Sequence, residues 1–354
     1  MAFRRAVAAA LLAAGAFWST EPARADPVVA AAGDIACDPA DRDFNGGFGN
    51  SRPWPGRCRH RLTANLIGRL RPDRLLMLGD AQYEDGRHDK FLASYGAPWG
   101  WGRWLPITRP VPGNHDYGEH RNRYDPAATG YFTYFDSVLR PYGPAATNPL
   151  GGYYSMDLRV RNRRTGRPSR WHLVALNSMC AGFLADLTGW TGGCSGDSAQ
   201  VRWLRRDLES SRADCTLAFW HHPLFSSGAP EVRSPEVRPF WRVLHRHRAE
   251  IVLNGNVHRY ERFDPQTPTG RRSRTGIRQF IVGSGGHSLA YGPDSRARNS
   301  GAMARRTFGV LRLVLHGPSR AHPHGWYRWR FLRSARTRAP GDAGSADCVT
   351  ARRR

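Results

Sequence analysis

The sequence predicts a single α/β domain with a central two-sheet core and helices outside it. Three observations carry that expectation. First, "VVAAAGDI" (Val28–Ile35), "RHRLTANLIGRL" and "DRLLMLGD" (Asp73–Asp80) run strand, helix, strand with short connections. That is a βαβ unit, and it implies a parallel strand pair. Second, a well-marked helix, "GDSAQVRWLRRDLESS", feeds directly into a strand, "CTLAFWHHP". Third, further strand-like runs are spread along the chain: "GYYSMDLRV", "WHLVALNS", "EIVLNG", "IRQFIVGSGG", "TFGVLRLVLH" and "WYRWRFL".

Each element has a local reason. Val28 to Ala32 is continuously apolar, as a strand buried on both faces should be. It delivers Asp34 at its exit. In the following helix Leu62, Leu66, Ile67 and Leu70 share one face, and Arg71-Pro72 ends it. The strand "DRLLMLGD" again delivers an acid, Asp80. In the later helix Asp197 is the expected cap, with Gln200 three residues on, and Val201, Leu204 and Leu208 share a face. Arg159–Arg170 and Pro265–Arg278 are basic, Gly/Pro-containing and expected as hairpin loops. From Arg333 the chain is polar and poor in apolar residues, so a loose tail over 333–354 is expected except near Cys348. There is no internal repeat.

The first 25 residues are set apart. Arg4 and Arg5 precede an apolar run from Ala6 to Trp18, and Ala23-Arg24-Ala25 offers a small-x-small cleavage site. That is the pattern of a secretory signal peptide, by the general or the twin-arginine route. Its apolar part is too short to span a bilayer, and no later run is longer, so no membrane partner is expected. The expected domain spans 26–332, in a secreted or extracytoplasmic protein. Six cysteines (Cys37, Cys58, Cys180, Cys194, Cys215, Cys348) fit that compartment as disulfides. Six allow 15 pairings. Proximity in sequence suggests Cys37–Cys58 and Cys180–Cys194, leaving Cys215 for Cys348. None stands in a CxxC spacing, which argues against zinc or redox motifs.

The formal net charge is +24, and Lys90 is the only lysine among 53 basic residues. An anion-binding surface and a broad arginine bias both account for this. The arginines are scattered along the sequence, and aromatics do not interleave with them as in an RNA-binding sheet. No specific nucleic-acid partner is expected. A P-loop is excluded, because "GSGGH" (Gly283–His287) lacks the lysine; that stretch is expected to place a backbone turn. No Gly-x-Ser-x-Gly elbow supports a serine hydrolase.

The chemistry gathers at strand exits. Asp34 and Asp80 end two strands. "PGNHD" supplies Asn114 and His115, "WHHP" supplies His221 and His222, and "GNVH" supplies Asn256 and His258. Singly, each has an ordinary explanation as a cap, a turn or a core histidine. Together they converge where α/β sheets bind ligands, beyond the carboxyl ends of strands.

In that order and spacing the motifs resemble the calcineurin-like metallophosphoesterases, over roughly Val28 to His287. That family carries GD, a second GD, GNH followed by an acid, a His near a Pro, and GHxH. "GDAQY" (Gly79–Tyr83) is similar to the GDxxY of the purple acid phosphatase branch, whose Tyr binds ferric iron. Ala36 stands where the wider family has a histidine; it cannot ligate, and Tyr83 would fill the vacancy. The resemblance implies a four-layer α/β/β/α metallophosphoesterase sandwich and a metal-dependent phosphoric ester hydrolase. It implies two metal ions, iron with zinc, manganese or a second iron. Asp34, Tyr83 and His258 would bind the first, Asp80 would bridge, and Asn114 and His221 would bind the second. His115 would be the general acid, and His222 would line the catalytic pocket. The substrate would be a small phosphorylated molecule, hydrolysed by in-line attack of a metal-activated water.

One position departs from the pattern. Where the family has the first His of GHxH, this chain has Asn256. An amide oxygen suits hard cations but holds late first-row metals less well than imidazole does. The second ion is therefore expected to be weakly held, or to be manganese or magnesium. The same residue raises an alternative, a weakened or inactive homologue that binds phosphate-containing ligands.

Overall fold

The βαβ unit forms as the sequence predicts. Strand β1 (Val28–Ala32) leads through α1 (His60–Leu70) to β2 (Arg74–Leu78), and β1 and β2 pair in parallel. The computed structural model describes residues 26–50, 56–118, 124–179, 193–289, 295–334 and 341–349. The expected signal peptide and Cys180 lie outside those residues.

Sheet one adds β3 (Thr108–Val111), β11 (Gly309–His316), β12 (Trp326–Arg333) and β13 (Ala343–Asp347), in the order β13-β12-β11-β1-β2-β3. Sheet two holds β4 (Tyr154–Arg161), β5 (Pro168–Ala175), β6 (Cys215–Phe219), β7 (Ile251–Asn254), β8 (Tyr260–Phe263), β9 (Arg278–Val282) and β10 (Ser300–Ala304). Its order is β10-β8-β9-β7-β6-β5-β4. Strands β1, β2 and β3 are mutually parallel, and so are β5, β6, β7 and β9. Parallel pairing matters for function: it delivers several carboxyl ends of each set to one edge.

Side-chain alternation on β5, β6 and β7 builds the layers. Leu173, Leu217, Phe219, Ile251 and Leu253 face the central core with Leu311 and Leu313 of β11. Their neighbours Val174, Ala218, Trp220 and Val252 face outward. There they meet Val201, Leu204 and Leu208 of α3 (Ala199–Ser210) and Phe240, Trp241 and Leu244 of α4 (Arg238–Arg246). On the other side α1 packs over β1 and β11. A further helix, α2 (Thr129–Leu139), packs on β3. Helix, sheet, sheet, helix is the four-layer order expected. Each fully buried leucine of this core contributes roughly 1.5–3 kcal/mol.

The structure corrects several local expectations. Helix α3 is capped by Ser198, whose hydroxyl accepts from the Val201 N–H at 3.3 Å, and not by Asp197. Gln200 does not close a capping box. Its amide accepts from Asn177 N–H (2.7 Å) and donates to Asn177 C=O (2.9 Å), satisfying backbone groups just past β5. Part of the expected loose tail is a strand: β13 pairs antiparallel with β12. Its order comes from backbone pairing and from Asp342, which accepts from Tyr260 Oη (2.6 Å), Arg262 Nε (2.8 Å) and Trp329 Nε1 (3.0 Å). Low apolar content misses both. Arginines far apart in sequence also meet: Arg312 and Arg330 stand directly opposite each other on β11 and β12.

Among the described residues two expected disulfides form, Cys37–Cys58, near in sequence, and Cys215–Cys348, the pair left over. The expected Cys180–Cys194 pair involves a residue outside those described. No helix among the described residues is long and apolar enough to cross a membrane.

Candidate metal centre

Asp34 and Asp80 sit just past β1 and β2, both in the left-handed region (φ 61° and 51°). That conformation costs a side-chain-bearing residue of order 1–3 kcal/mol and persists where surrounding structure enforces it. Here it turns each carboxylate across the end of its sheet. Gly79 (φ 86°) leaves the necessary space: a Cβ there would lie 2.4 Å from His221 Nδ1. Gly113 is needed for the same reason, since its Cβ would lie 2.2 Å from Asp80 Oδ1.

Four side chains from distant parts of the sequence then interlock. The Tyr83 hydroxyl lies 2.8 Å from Asp80 Oδ2, 3.1 Å from Asp34 Oδ1 and 3.0 Å from His258 Nε2. His258 Nε2 lies 3.1 Å from Asp34 Oδ1. Asp80 Oδ2 also faces His221 Nε2 at 3.4 Å. Asp34, Asp80 and His221 are fully buried and form a group with metal-ligating spacing.

The donor set fits metal ions. Ligand atoms around an octahedral ion with bonds near 2.1 Å sit about 3 Å apart, which is the spacing found here. Within the site, Asn114 Oδ1 is buried without a hydrogen-bond partner, and His221 Nε2 has only the 3.4 Å approach to Asp80 Oδ2. Leaving such a group unsatisfied costs roughly 1–3 kcal/mol, a cost that a cation would remove. His221 Nδ1 donates to the Leu78 carbonyl at 2.7 Å. That orients the ring and leaves Nε2 as the ligating atom.

Electrostatics agree with that reading. Burial pushes Asp80 up, but the His221 and His115 charges and hydrogen bonds from His221 and Tyr83 outweigh it, leaving its pKa far below the usual carboxylate range. Burial pushes His221 down, but Asp80 and Asp34 prevail and raise it to about 9. The carboxylates that favour a proton there would favour a metal cation equally, and binding would release the proton. Burial, then Asp34 and Asp80, push Tyr83 well above 10. Only a strongly charged ion could hold it as phenolate.

The other expected residues are placed as follows. The His115 N–H donates to Asp80 Oδ1 at 2.9 Å, and its Nδ1 lies 2.7 Å from the Glu84 carbonyl. His222 Nδ1 lies 2.9 Å from Ser178 Oγ. Burial and the His221 charge push His222 down to about 3, so it is neutral. Asn256 contributes its backbone N–H to Asp34 Oδ2 at 3.0 Å. Its side-chain Nδ2 donates to the Val232 carbonyl at 3.3 Å.

Sequence reasoning missed several neighbours. Asp116, from "GNHD", ties two ligand loops by accepting from Ala81 N–H (3.0 Å) and Gly113 N–H (2.9 Å). Burial and the Asp80 charge push it up to about 8. His287 stacks on Tyr83 with ring centroids 3.5 Å apart. Burial pushes His287 down to about 4. The acid after GNH was visible in the motif; His287 had no signal beyond the end of "GSGGH".

A buried Asp–Asp–His group at the ends of parallel strands, inside a four-layer sandwich, defines a metallophosphoesterase. The chain belongs to the calcineurin-like phosphoesterase family, whose model matches residues 28–260. Among solved structures it is similar to purple acid phosphatase PPD1 from yellow lupin (Lupinus luteus) seeds. The TM-score is 0.61 at 16% identity, covering 92% of this chain and 54% of that one. The chain thus spans about half the lupin protein. It is also similar to GAP50, described as the anchor in the inner membrane complex of Plasmodium. There the TM-score is 0.60 at 11% identity, covering 93% of this chain and 91% of that one. At such identities the likeness concerns the fold. No curated protein sequence matches the chain.

Proposed function

We propose that this chain is an exported phosphoesterase that uses two metal ions to hydrolyse small phosphate esters. One observation carries the reading: Asp34, Asp80, Tyr83 and His258 meet at hydrogen-bond spacing, with His221 Nε2 3.4 Å from Asp80 Oδ2. Asp34, Tyr83 and His258 would hold the first ion, and Asp80 would be shared by both. Asn114 and His221 would hold the second, with Asn256 as the further candidate ligand. When bound, such a pair of ions neutralises phosphoryl charge and acidifies a water to a pKa of roughly 7.

The remaining chemistry falls to side chains. The Glu84 carbonyl accepts from His115 Nδ1 at 2.7 Å, which assigns proton transfer to Nε2. Nε2 supplies the proton to the departing alkoxide. The His115 N–H on Asp80 keeps that imidazole in register with the shared ligand. Neutral His222, held by Ser178, lines the pocket without adding charge. Two disulfides support an extracytoplasmic location.

A second reading rests on Asn256 and its engagement with Val232: a homologue that keeps the fold and binds phosphate-bearing ligands without turnover. A chromogenic phosphate monoester assayed with added iron, zinc or manganese separates the two. Turnover that follows metal content supports the enzyme. No turnover with any metal supports the binder.

A further inference from the structure

The loop after β9 ends in His287 and Ser288, which neither the ligand set nor the chemistry above uses. Both touch ligands of the first ion. Ser288 Oγ lies 2.6 Å from His258 Nδ1 and 3.2 Å from His287 Nδ1. His287 Nε2 lies 3.3 Å from Glu84 Oε1 and 3.2 Å from Arg57 Nη2, and Arg57 Nη2 lies 3.6 Å from Glu84 Oε1. The His287 ring is parallel to Tyr83, at an interplanar angle of 0°. Behind it, the His287 carbonyl accepts from the Cys58 N–H at 2.8 Å, and the Gly286 carbonyl accepts from the Arg59 N–H at 2.7 Å. The Cys37–Cys58 disulfide thus backs the loop.

Hydrogen positions follow from one condition. For His258 Nε2 to offer a lone pair to a metal, Nδ1 must carry the hydrogen and donate to Ser288 Oγ. The serine hydroxyl then donates to His287 Nδ1; Arg57 Nη2 can only donate, so His287 Nε2–H turns to Glu84 Oε1, which also faces that guanidinium. Every bond points outward, and the series ends on a carboxylate, as the outer partners of metal-bound histidines commonly do. This assignment rests on the metal-centre reading proposed above.

We infer that Ser288, His287 and Glu84 form a positioning relay that fixes the tautomer and orientation of His258, while the His287 ring braces Tyr83. Its geometry serves the first ion alone. These are positioning residues, since none needs to touch substrate.

The test is zinc(II) binding to the chelator-stripped full chain, read by competition with a chromophoric chelator. The visible tyrosinate band of the iron(III)-loaded protein is the second readout. Ser288→Ala is expected to weaken the tighter site about 10- to 100-fold, and Ser288→Thr to restore it. His287→Phe keeps a ring against Tyr83 but cuts the relay, so affinity falls while the band stays in place. His287→Ala moves both. If Ser288→Ala fails to fold, His287→Phe carries the same comparison. Variants that bind zinc as the parent does would overturn the relay. A parent chain that binds neither zinc nor iron would overturn the metal-centre reading instead, and the relay with it.

Discussion

The two halves of the site are prepared for cations in different ways. Around the first, the Tyr83 hydroxyl, Asp34 and His258 already hydrogen-bond one another, and a shell of Ser288, His287 and Glu84 stands behind them. Around the second, Asn114 Oδ1 is buried without a hydrogen-bond partner, His221 Nε2 reaches only Asp80 Oδ2 at 3.4 Å, and the Asn256 amide is turned to the Val232 carbonyl. The first half is preorganised by its own polar contacts. The second holds buried polar atoms whose cost only a ligand can offset. A site can therefore be complete in fold and still unequal in affinity.

In the proposed ligand set Asp80 belongs to both halves, so breaking it should erase the contrast. Asp80→Asn is expected to lose both ions and at least about a thousandfold in turnover, equivalent to ~4 kcal/mol. Metal analysis beside the monoester assay checks this; two retained equivalents would contradict the shared role. Next in size is Tyr83→Phe, which touches the first half alone. It should abolish the visible charge-transfer band of the iron-loaded protein and weaken that ion about tenfold. A parent protein that binds iron without such a band would remove Tyr83 from the ligand set.

Asn256→His sharpens the contrast from the weak side. We expect about tenfold better retention of the second ion and a matching rise in turnover, measured by dialysis followed by elemental analysis. No gain would mark Asn256 as an adapted ligand rather than a defect. The smallest effect lies outside both halves and needs no metal. Burial pushes His172 down, but hydrogen bonds to Asp207 and Asp157, each 2.8 Å, prevail and leave its pKa raised. A raised folded-state pKa stabilises below the unfolded value of about 6.5 and fades as pH climbs through the folded one. The melting-temperature gap between parent and His172→Gln should be about 2–4 °C near pH 6 and shrink toward pH 9. A gap that widens with pH would refute the sign.

Much of this was legible in the chain itself. The βαβ start, the α3 helix and its following strand were readable because their period is local, Cys37–Cys58 because its cysteines are near in sequence, and Cys215–Cys348 as the pair left over. The candidates Asp34, Asp80, His221 and His258 stood out because they follow strand ends, and Tyr83 through the GDxxY likeness; the fold groups Asp34, Asp80 and His221. The strand β13 was not, since Ala343–Asp347 has no apolar pattern and is ordered by its pairing with β12. Nor was Ser288, whose contact with His258 spans 30 residues. The alignment of Arg312 with Arg330 depended on strand register, which a linear spacing conceals.

By itself, then, the sequence determined the family, the sandwich and the residue types that could hold metals, because backbone periodicity and motif order are written in the chain. Only the tertiary structure decided which of those atoms stand about 3 Å apart, which remain unpartnered in the interior, and which loop braces them. Those are matters of distance and burial, and they exist only once the two sheets close on each other.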